Sequence, residues 1–213
     1  MKLLKNTVTI YTVAFNGYWQ KYGAAWTAHI KNLDPVPTEV IVVCDEPIDT
    51  EFKLIIETDK CISSFRNVAI KSATSDWVVL CDIDDTPLTN FIDDLDYDFD
   101  IIAYTLIDQF NNLAGGRAKW WNSAFLLKTG NPINASSAVK REILQKTLFR
   151  KVGWEDWLLW LDLKKNGATV KFDSTVRLKY NYNPTSYSNT TNSKKNTQEI
   201  KEIKSKEFLG SNS

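Results

Sequence analysis

The chain has 213 residues, enough for one domain or a domain with an appendage, and it can bury ~70 % of its unfolded surface without staples. Apolar residues make up 43 %, and 26 basic residues cancel 26 acidic ones. A neutral chain with no Lys/Arg block in its folded part gives no strong nucleic-acid signal, and no apolar run approaches the ~18 residues of a membrane span. Met1–Asn6 is too short for a signal peptide, so a cytoplasmic protein is expected.

The elements follow in order. Val8–Phe15 is a β-branched and aromatic run that ends at Asn16-Gly17, a strand and then a turn. Trp19, Tyr22, Trp26 and Ile30 repeat at helical spacing over 18–33. Val40–Cys44 is a continuous apolar run, as in a strand buried on both faces, and Phe52–Glu57 is a third strand. Ser63 or Ser64 is expected to cap a helix carrying Phe65, Val68, Ala69 and Ala73. Trp77–Cys81 is a fourth strand that runs into Asp82-Ile83-Asp84-Asp85. Alternating strands and helices predict an α/β fold with a mostly parallel sheet and helices on both faces. Ligands bind beyond the carboxyl ends of such strands, where Asn16, Asp45 and Asp82/Asp84 lie.

The pattern changes after residue 96. Strands are expected at Phe99–Leu106 and Ala118–Leu127, with a Gly115-Gly116 turn between them, and a helix over Ala138–Phe149. Glu155–Lys165 reads as a largely buried helix stopped by Asn166-Gly167, followed by strands at Ala168–Phe172 and Thr175–Tyr182. Residues 1–182 divide where the pattern changes into a first half, 1–96, and a smaller second half, 97–182. Residues 183–213 are rich in Ser, Thr, Asn and Lys, with one weak helical stretch near Ile200–Phe208. They read as a polar tail, mobile or ordered only by docking, that can be deleted from 190 onward without unfolding the domain.

Composition narrows the chemistry. The single histidine, His29, cannot build a multi-histidine metal site, and it reads as a half-buried spacer. Cys44, Cys61 and Cys81 are widely spaced with no CxxC, which predicts free thiols. Carboxylates remain. Asp82, Asp84 and Asp85 at one strand end repel each other, and a cation relieves that repulsion; oxygen ligands without histidine suit Mg²⁺ or Mn²⁺. The plainer alternative makes Thr86 an N-cap and Pro87 the first residue of a helix, with the aspartates favouring its dipole. Glu155-Asp156 opens an apolar helix, so a raised pKa suited to a general base is expected, although acids at a helix start also serve the dipole. Five of the eight tryptophans lie between Trp120 and Trp160; they fit a carbohydrate acceptor or simply fill the core. Arg66-Asn67 near a helix start reads either as a phosphate contact or, more plainly, as an exposed charge.

The order of a strand ending in Asn16, VVCD at Val42–Asp45, FRNVAI at Phe65–Ile70, WVVLCDIDD at Trp77–Asp85 and WEDWLLWLDLKKNGA at Trp154–Ala168 resembles the family 2 glycosyltransferases of GT-A fold, over roughly residues 8–182. The resemblance implies inverting transfer of a sugar from a nucleoside-diphosphate donor, a UDP-sugar being favoured, to a glycan or other hydroxyl acceptor. By that match Thr12 and Asn16 border the nucleotide, Asp45 contacts the base and Arg66 lies near the base or phosphates. Asp82 contacts the ribose and shares the divalent cation with Asp84. Asp156 is the general base, with Glu155 beside it in the catalytic pair, and Ser136, Trp154 and Trp157 stand on the acceptor side, so the match makes 1–96 the nucleotide-binding half and 97–182 the acceptor half. The chain departs from the family at Cys44-Asp45-Glu46-Pro47, where Asp-Asp-Gly-Ser is common, and near Asn183, where a metal-binding histidine often stands. VVLCDIDDTPL also resembles the first motif of haloacid-dehalogenase phosphatases, with Asp82 as nucleophile and Asp84 as acid/base. Three strands preceding the motif, and Pro87 within it, weigh against that rival. A third reading is a non-catalytic binding protein of the same fold.

Overall fold

The computed structural model describes residues 6–115, 121, 131, 133–182 and 193–209. The first part alternates as the sequence predicts: β1 (Val8–Ala14), α1 (Tyr18–Lys31), β2 (Glu39–Cys44), β3 (Lys53–Ile56), α2 (Ile62–Ser72) and β4 (Trp77–Leu80). These four strands are mutually parallel in the order β3-β2-β1-β4. The chain steps outward from β1 to β3 and then returns to β1's other side. That reversal opens a crevice at the carboxyl ends of β1 and β4.

The sheet continues through β5 (Thr86–Pro87), β6 (Ile101–Ile107), β7 (Leu113–Gly115), β8 (Ala138–Lys140) and β9 (Val170–Lys179) in the overall order β3-β2-β1-β4-β8-β6-β9-β5, with β7 paired to β6. Strand β8 is antiparallel to both β4 and β6, so β6 and β9 run in the direction of β4. The sheet is therefore mixed: β1–β4, β6 and β9 share one direction, and β5, β7 and β8 run against it. The described residues then include the helices α3 (Arg141–Lys146), α4 (Glu155–Lys165) and α5 (Ser193–Lys204), the last running into a π-helical turn, Ser205–Leu209.

Strand alternation builds a core on each face of the sheet. Val8, Ile10 and Ala14 of β1 pack with Trp26 and Ile30 of α1. Tyr11 and Val13, pointing the other way, pack with Phe65 and Ala69 of α2 and with Leu158 and Leu161 of α4. Cys44, Cys61 and Cys81 are free thiols.

Five expectations are corrected. Cys61, not a serine, precedes α2; the Ser63 hydroxyl donates to the Arg150 carbonyl (2.7 Å) and that of Ser64 to Asp59 (2.8 Å). Thr86-Pro87 starts no helix and forms an edge strand antiparallel to β9, where proline's missing N–H is tolerated. The turn of the 101–115 hairpin lies at Asp108–Asn112, with Gly115 inside β7; the strand expected over Ala118–Leu127 lies outside the described residues except for Trp121, which is helical and buried. Ala138–Phe149 is not one helix: Ala138 and Val139, fully buried, bridge β4 to β6, and sheet pairing overrides helical spacing. The two late strands are one, because irregular register opposite Ala103–Leu106 absorbs the polar Asp173-Ser174 pair.

The described part of the C-terminal segment takes the docked form of the two expected, with more helix than its weak periodicity predicts. Residues 193–209 form helical structure in which Ile200 is fully buried, while Ile203 and Phe208 pack on the core. Arg150 donates to both carboxyl oxygens of Glu207 (2.9 Å each). Three apolar side chains among lysines and glutamates are a faint signal, but they suffice to dock a helix onto a preformed apolar face.

Candidate active site

The carboxylate cluster sits at the crevice because β4 ends there. The Asp85 N–H donates to the Asp82 carbonyl (3.0 Å), closing a turn that leaves Asp82 and Asp84 half-buried on a cavity of about 850 Å³. Asp85 is buried, and its Oδ1 accepts from the Asn181 N–H (2.9 Å). The Asn181 amide donates to the Asp84 carbonyl (2.8 Å) and the Thr86 hydroxyl (3.0 Å), so the end of β9 holds the turn. Burial, followed by the charge of Asp82, pushes the Asp85 carboxyl up to about 8. Burial raises Asp82 to about 6 although Arg66 pulls the other way, with Asp84 and Glu155 adding to the rise.

Arg66 is buried, which overturns the exposed-charge reading. The phase of α2 points it into the crevice, where it donates to Glu155 Oε1 at 2.5 Å and lies 3.7 Å from Asp82 Oδ1. Burial works against its charge, but Glu155 and then Asp82 more than restore it, and the guanidinium stays protonated. Its Nε is buried without a partner. Asn67 clasps Phe149 with two backbone bonds, Nδ2 to O (2.8 Å) and N–H to Oδ1 (2.9 Å), which ties α2 to the segment before α4.

Helix α4 brings the second acidic pair across. Trp154 precedes it in the left-handed region (φ 57°), a conformation that costs a non-glycine residue about 1–2 kcal/mol. Asp156 Oδ1 accepts from the Trp157 N–H (2.8 Å) and Oδ2 from Asn131 Nδ2 (2.6 Å). Burial first, then the neighbouring Glu155, raise Asp156 to about 6, with Arg66 opposing them. Asp82, Asp84, Arg66, Glu155 and Asp156 therefore line one cavity, although the two acidic motifs lie about seventy residues apart in the chain.

The other expected residues divide. Asn16 (φ 56°), Ser136 and Trp154 line the cavity. Thr12 does not: it shares the α1-facing side of β1 with Ile10 and Ala14 and is completely buried, its hydroxyl without a partner. Asp45 is also not among the lining residues; its Oδ2 accepts from the Asn16 N–H (3.3 Å) and pairs with Lys60 (3.5 Å), bracing the turn after β1. Trp157 faces away, with the Lys204 ammonium 3.8 Å from its ring centroid. Asn131, Asn181, Lys195 and Glu199 went unnoticed in the sequence. Asn181 at a strand end parallels Asn16, which was the available signal. A smaller cavity of about 440 Å³, lined by Tyr22 and His29 among others, shares Ile83, Asp84 and Asp85 with the main one.

The carboxylates suit a hard divalent cation. Among the described residues no group of three His, Cys, Asp or Glu side chains forms a complete protein cage. Asp82 and Asp84 instead offer two oxygen donors on an open cavity, the pattern of a cation whose remaining ligands are phosphate oxygens and water.

No protein-family model matches the sequence, and no curated protein matches it. Solved structures do. The fold is that of GT-A nucleotide-sugar glycosyltransferases. Staphylococcus aureus TarS 1–349 in complex with UDP-GlcNAc superposes with a TM-score of 0.67 at 16 % identity, over 87 % of this chain and 61 % of that one. The mannosyltransferase PcManGT from Pyrobaculum calidifontis, in complex with GDP-Man and Mn²⁺, gives 0.62 at 18 % identity, over 86 % and 59 %. Glucosyl-3-phosphoglycerate synthase from Mycobacterium tuberculosis, in complex with Mg²⁺ and UDP, gives 0.60 at 14 %, over 84 % and 73 %. The chain spans about six-tenths of the TarS 1–349 structure. Among the described residues no helix is long and apolar enough to cross a membrane.

Proposed function

We propose that the protein transfers a sugar from a nucleoside-diphosphate donor to a hydroxyl acceptor, with inversion at the anomeric carbon. One observation supports the reading: the strand-end aspartates and Asp156 line a single cavity, in a fold whose solved neighbours hold UDP-GlcNAc, UDP or GDP-Man. In this reading Asp84 and Asp82 hold a divalent cation, Mn²⁺ or Mg²⁺, which offsets the charge of the diphosphate leaving group. Arg66 lies between Glu155 and Asp82 and would add positive charge near the phosphates. Asn16 borders the nucleotide, and Asp45 acts through the Asn16 turn. Asp156 takes the proton from the acceptor hydroxyl; a carboxyl near 6 is ionised at neutral pH yet more basic than a free aspartate. Glu155, tied to Arg66, raises Asp156 by its charge rather than accepting the proton itself. Residues up to about 96 then serve the donor and later ones the acceptor, with Ser136 and Trp154 on that side. UDP and a glycan hydroxyl are the favoured donor base and acceptor.

The pairing of Asp82 with Arg66, and a second acidic pair lining the same cavity, favour this reading over phosphoryl transfer to Asp82. A thermal-shift screen of UDP, GDP, CMP and dTDP, each with and without Mn²⁺, tests it. The expected result is stabilisation by one nucleoside diphosphate that requires the cation, reaching about 2.7 kcal/mol at 100 times its Kd.

A further inference from the structure

Helix α5 does more than cover the core. Lys195 and Glu199, one turn apart on the same face of α5, line the cavity that holds Asp156. Glu199 Oε2 accepts from the Gly153 N–H at 3.3 Å. Gly153 precedes Trp154, the residue held in the left-handed region, and Trp154 in turn precedes Glu155 and Asp156. The helix is anchored at three further points: buried Ile200, Lys204 over Trp157, and Glu207 on Arg150. It is thus fixed firmly enough to orient what Glu199 touches.

We propose that Glu199 is a positioning residue for the acidic pair, holding the Gly153-Trp154 turn so that Asp156 faces the acceptor side of the cavity, with α5 as a wall of that site. The role in catalysis rests on the function proposed above; the role in ordering the turn does not. Two features converge on it. A non-glycine residue persists in the left-handed region only where its surroundings hold it there, and the Glu199 contact is the hydrogen bond that the neighbouring Gly153 N–H makes to a helix from another part of the chain. A 3.3 Å bond from a carboxylate on an anchored helix supplies that constraint. Without it the turn relaxes, and the Arg66–Glu155 and Asn131–Asp156 contacts loosen together.

The test compares Glu199→Ala, which removes the acceptor atom, with Glu199→Gln, which keeps one. Two readouts are used: amide hydrogen exchange over residues 150–158, and release of UDP from UDP-GlcNAc or of GDP from GDP-Man in Mn²⁺ with water as acceptor. Nucleotide affinity is measured beside them by calorimetry. In Glu199→Ala, exchange across 153–157 is expected to quicken at least five-fold and nucleotide release to slow five- to ten-fold. The Kd for the nucleotide is expected to stay within two-fold and the melting temperature within a few degrees. Glu199→Gln should restore most of both effects. Unchanged exchange over 153–157 in Glu199→Ala overturns the proposal, as does equal loss of nucleotide affinity and release, or failure of glutamine to rescue. If the wild type binds and cleaves no donor, the glycosyltransferase reading fails, while the exchange result still decides whether Glu199 orders the turn.

Discussion

The two halves of the molecule meet at one cavity but are built by different rules. Up to β4, the strands are parallel, β1 and β4 are buried throughout, and helices link successive strands, so side chains at strand ends reach the crevice by topology alone. After residue 96, strands are mixed in direction and, between β6 and β9, irregular in register, and the decisive contacts come from distant segments: Asn131 and Asn181 from loops, Glu199 from α5. The first half fixes where charge gathers. The second fixes which way the base points and what closes the site.

The sharpest way to break this division of labour is Asp156→Asn. Its shape is nearly preserved and it is not one of the proposed cation ligands, so sugar transfer should fall by roughly 10²–10⁴-fold while nucleotide affinity stays within a few-fold. Parallel turnover and calorimetry check this; full turnover in the variant removes Asp156 from the role of base. With Asp156 raised to about 6, transfer by the wild type should climb with pH through that value and level off above it, as a pH–rate profile will show.

The C-terminal helix offers the next test. Ile200 is fully buried, and Ile200→Ala should cost about 2–4 kcal/mol in urea unfolding. A loss below about 0.5 kcal/mol would mean that α5 does not dock and that 193–209 is the dispensable tail its composition suggests.

A smaller effect comes from Asp85. Its carboxyl is raised from 3.8 to about 8, so the folded state binds a proton more tightly than the unfolded chain. That contribution is fully present below about pH 4 and is lost as pH rises through about 8. Asp85→Asn keeps an oxygen for the Asn181 N–H without the buried charge. In EDTA it should therefore melt a few degrees above wild type at pH 8.5 and show a smaller gain at pH 5. An equal difference at both pH values would contradict the account.

How much of this was legible follows the same line between the halves. Val40–Cys44 and Trp77–Cys81 announce buried strands because a sheet covered on both faces leaves no polar alternation to read, and the aspartates after Leu80 are placed by that alone. Glu155–Lys165 is equally clear, since its apolar stretch ends in Asn166-Gly167, and Gly167 takes a positive φ of 84°. Ala138-Val139 misleads because helical spacing over the next residues outweighs a two-residue signal, whereas pairing with β4 and β6 decides the outcome. Thr12 misleads because a strand buried on both faces hides which side points at the site. Arg66 reads as a surface charge because its partner, Glu155, is distant in sequence and is brought near only by the fold. Glu199 is invisible for the same reason.

The central claim is that the strand-end aspartates hold a cation that binds the donor diphosphate, and calorimetric titration of UDP and GDP into wild type and Asp84→Asn tests it most directly. One of the two nucleotides should bind the wild type in Mn²⁺, lose at least ten-fold in affinity in EDTA, and bind Asp84→Asn equally weakly with or without the cation. Binding of equal strength in EDTA, or an Asp84→Asn variant that keeps full cation-dependent affinity, would contradict the account.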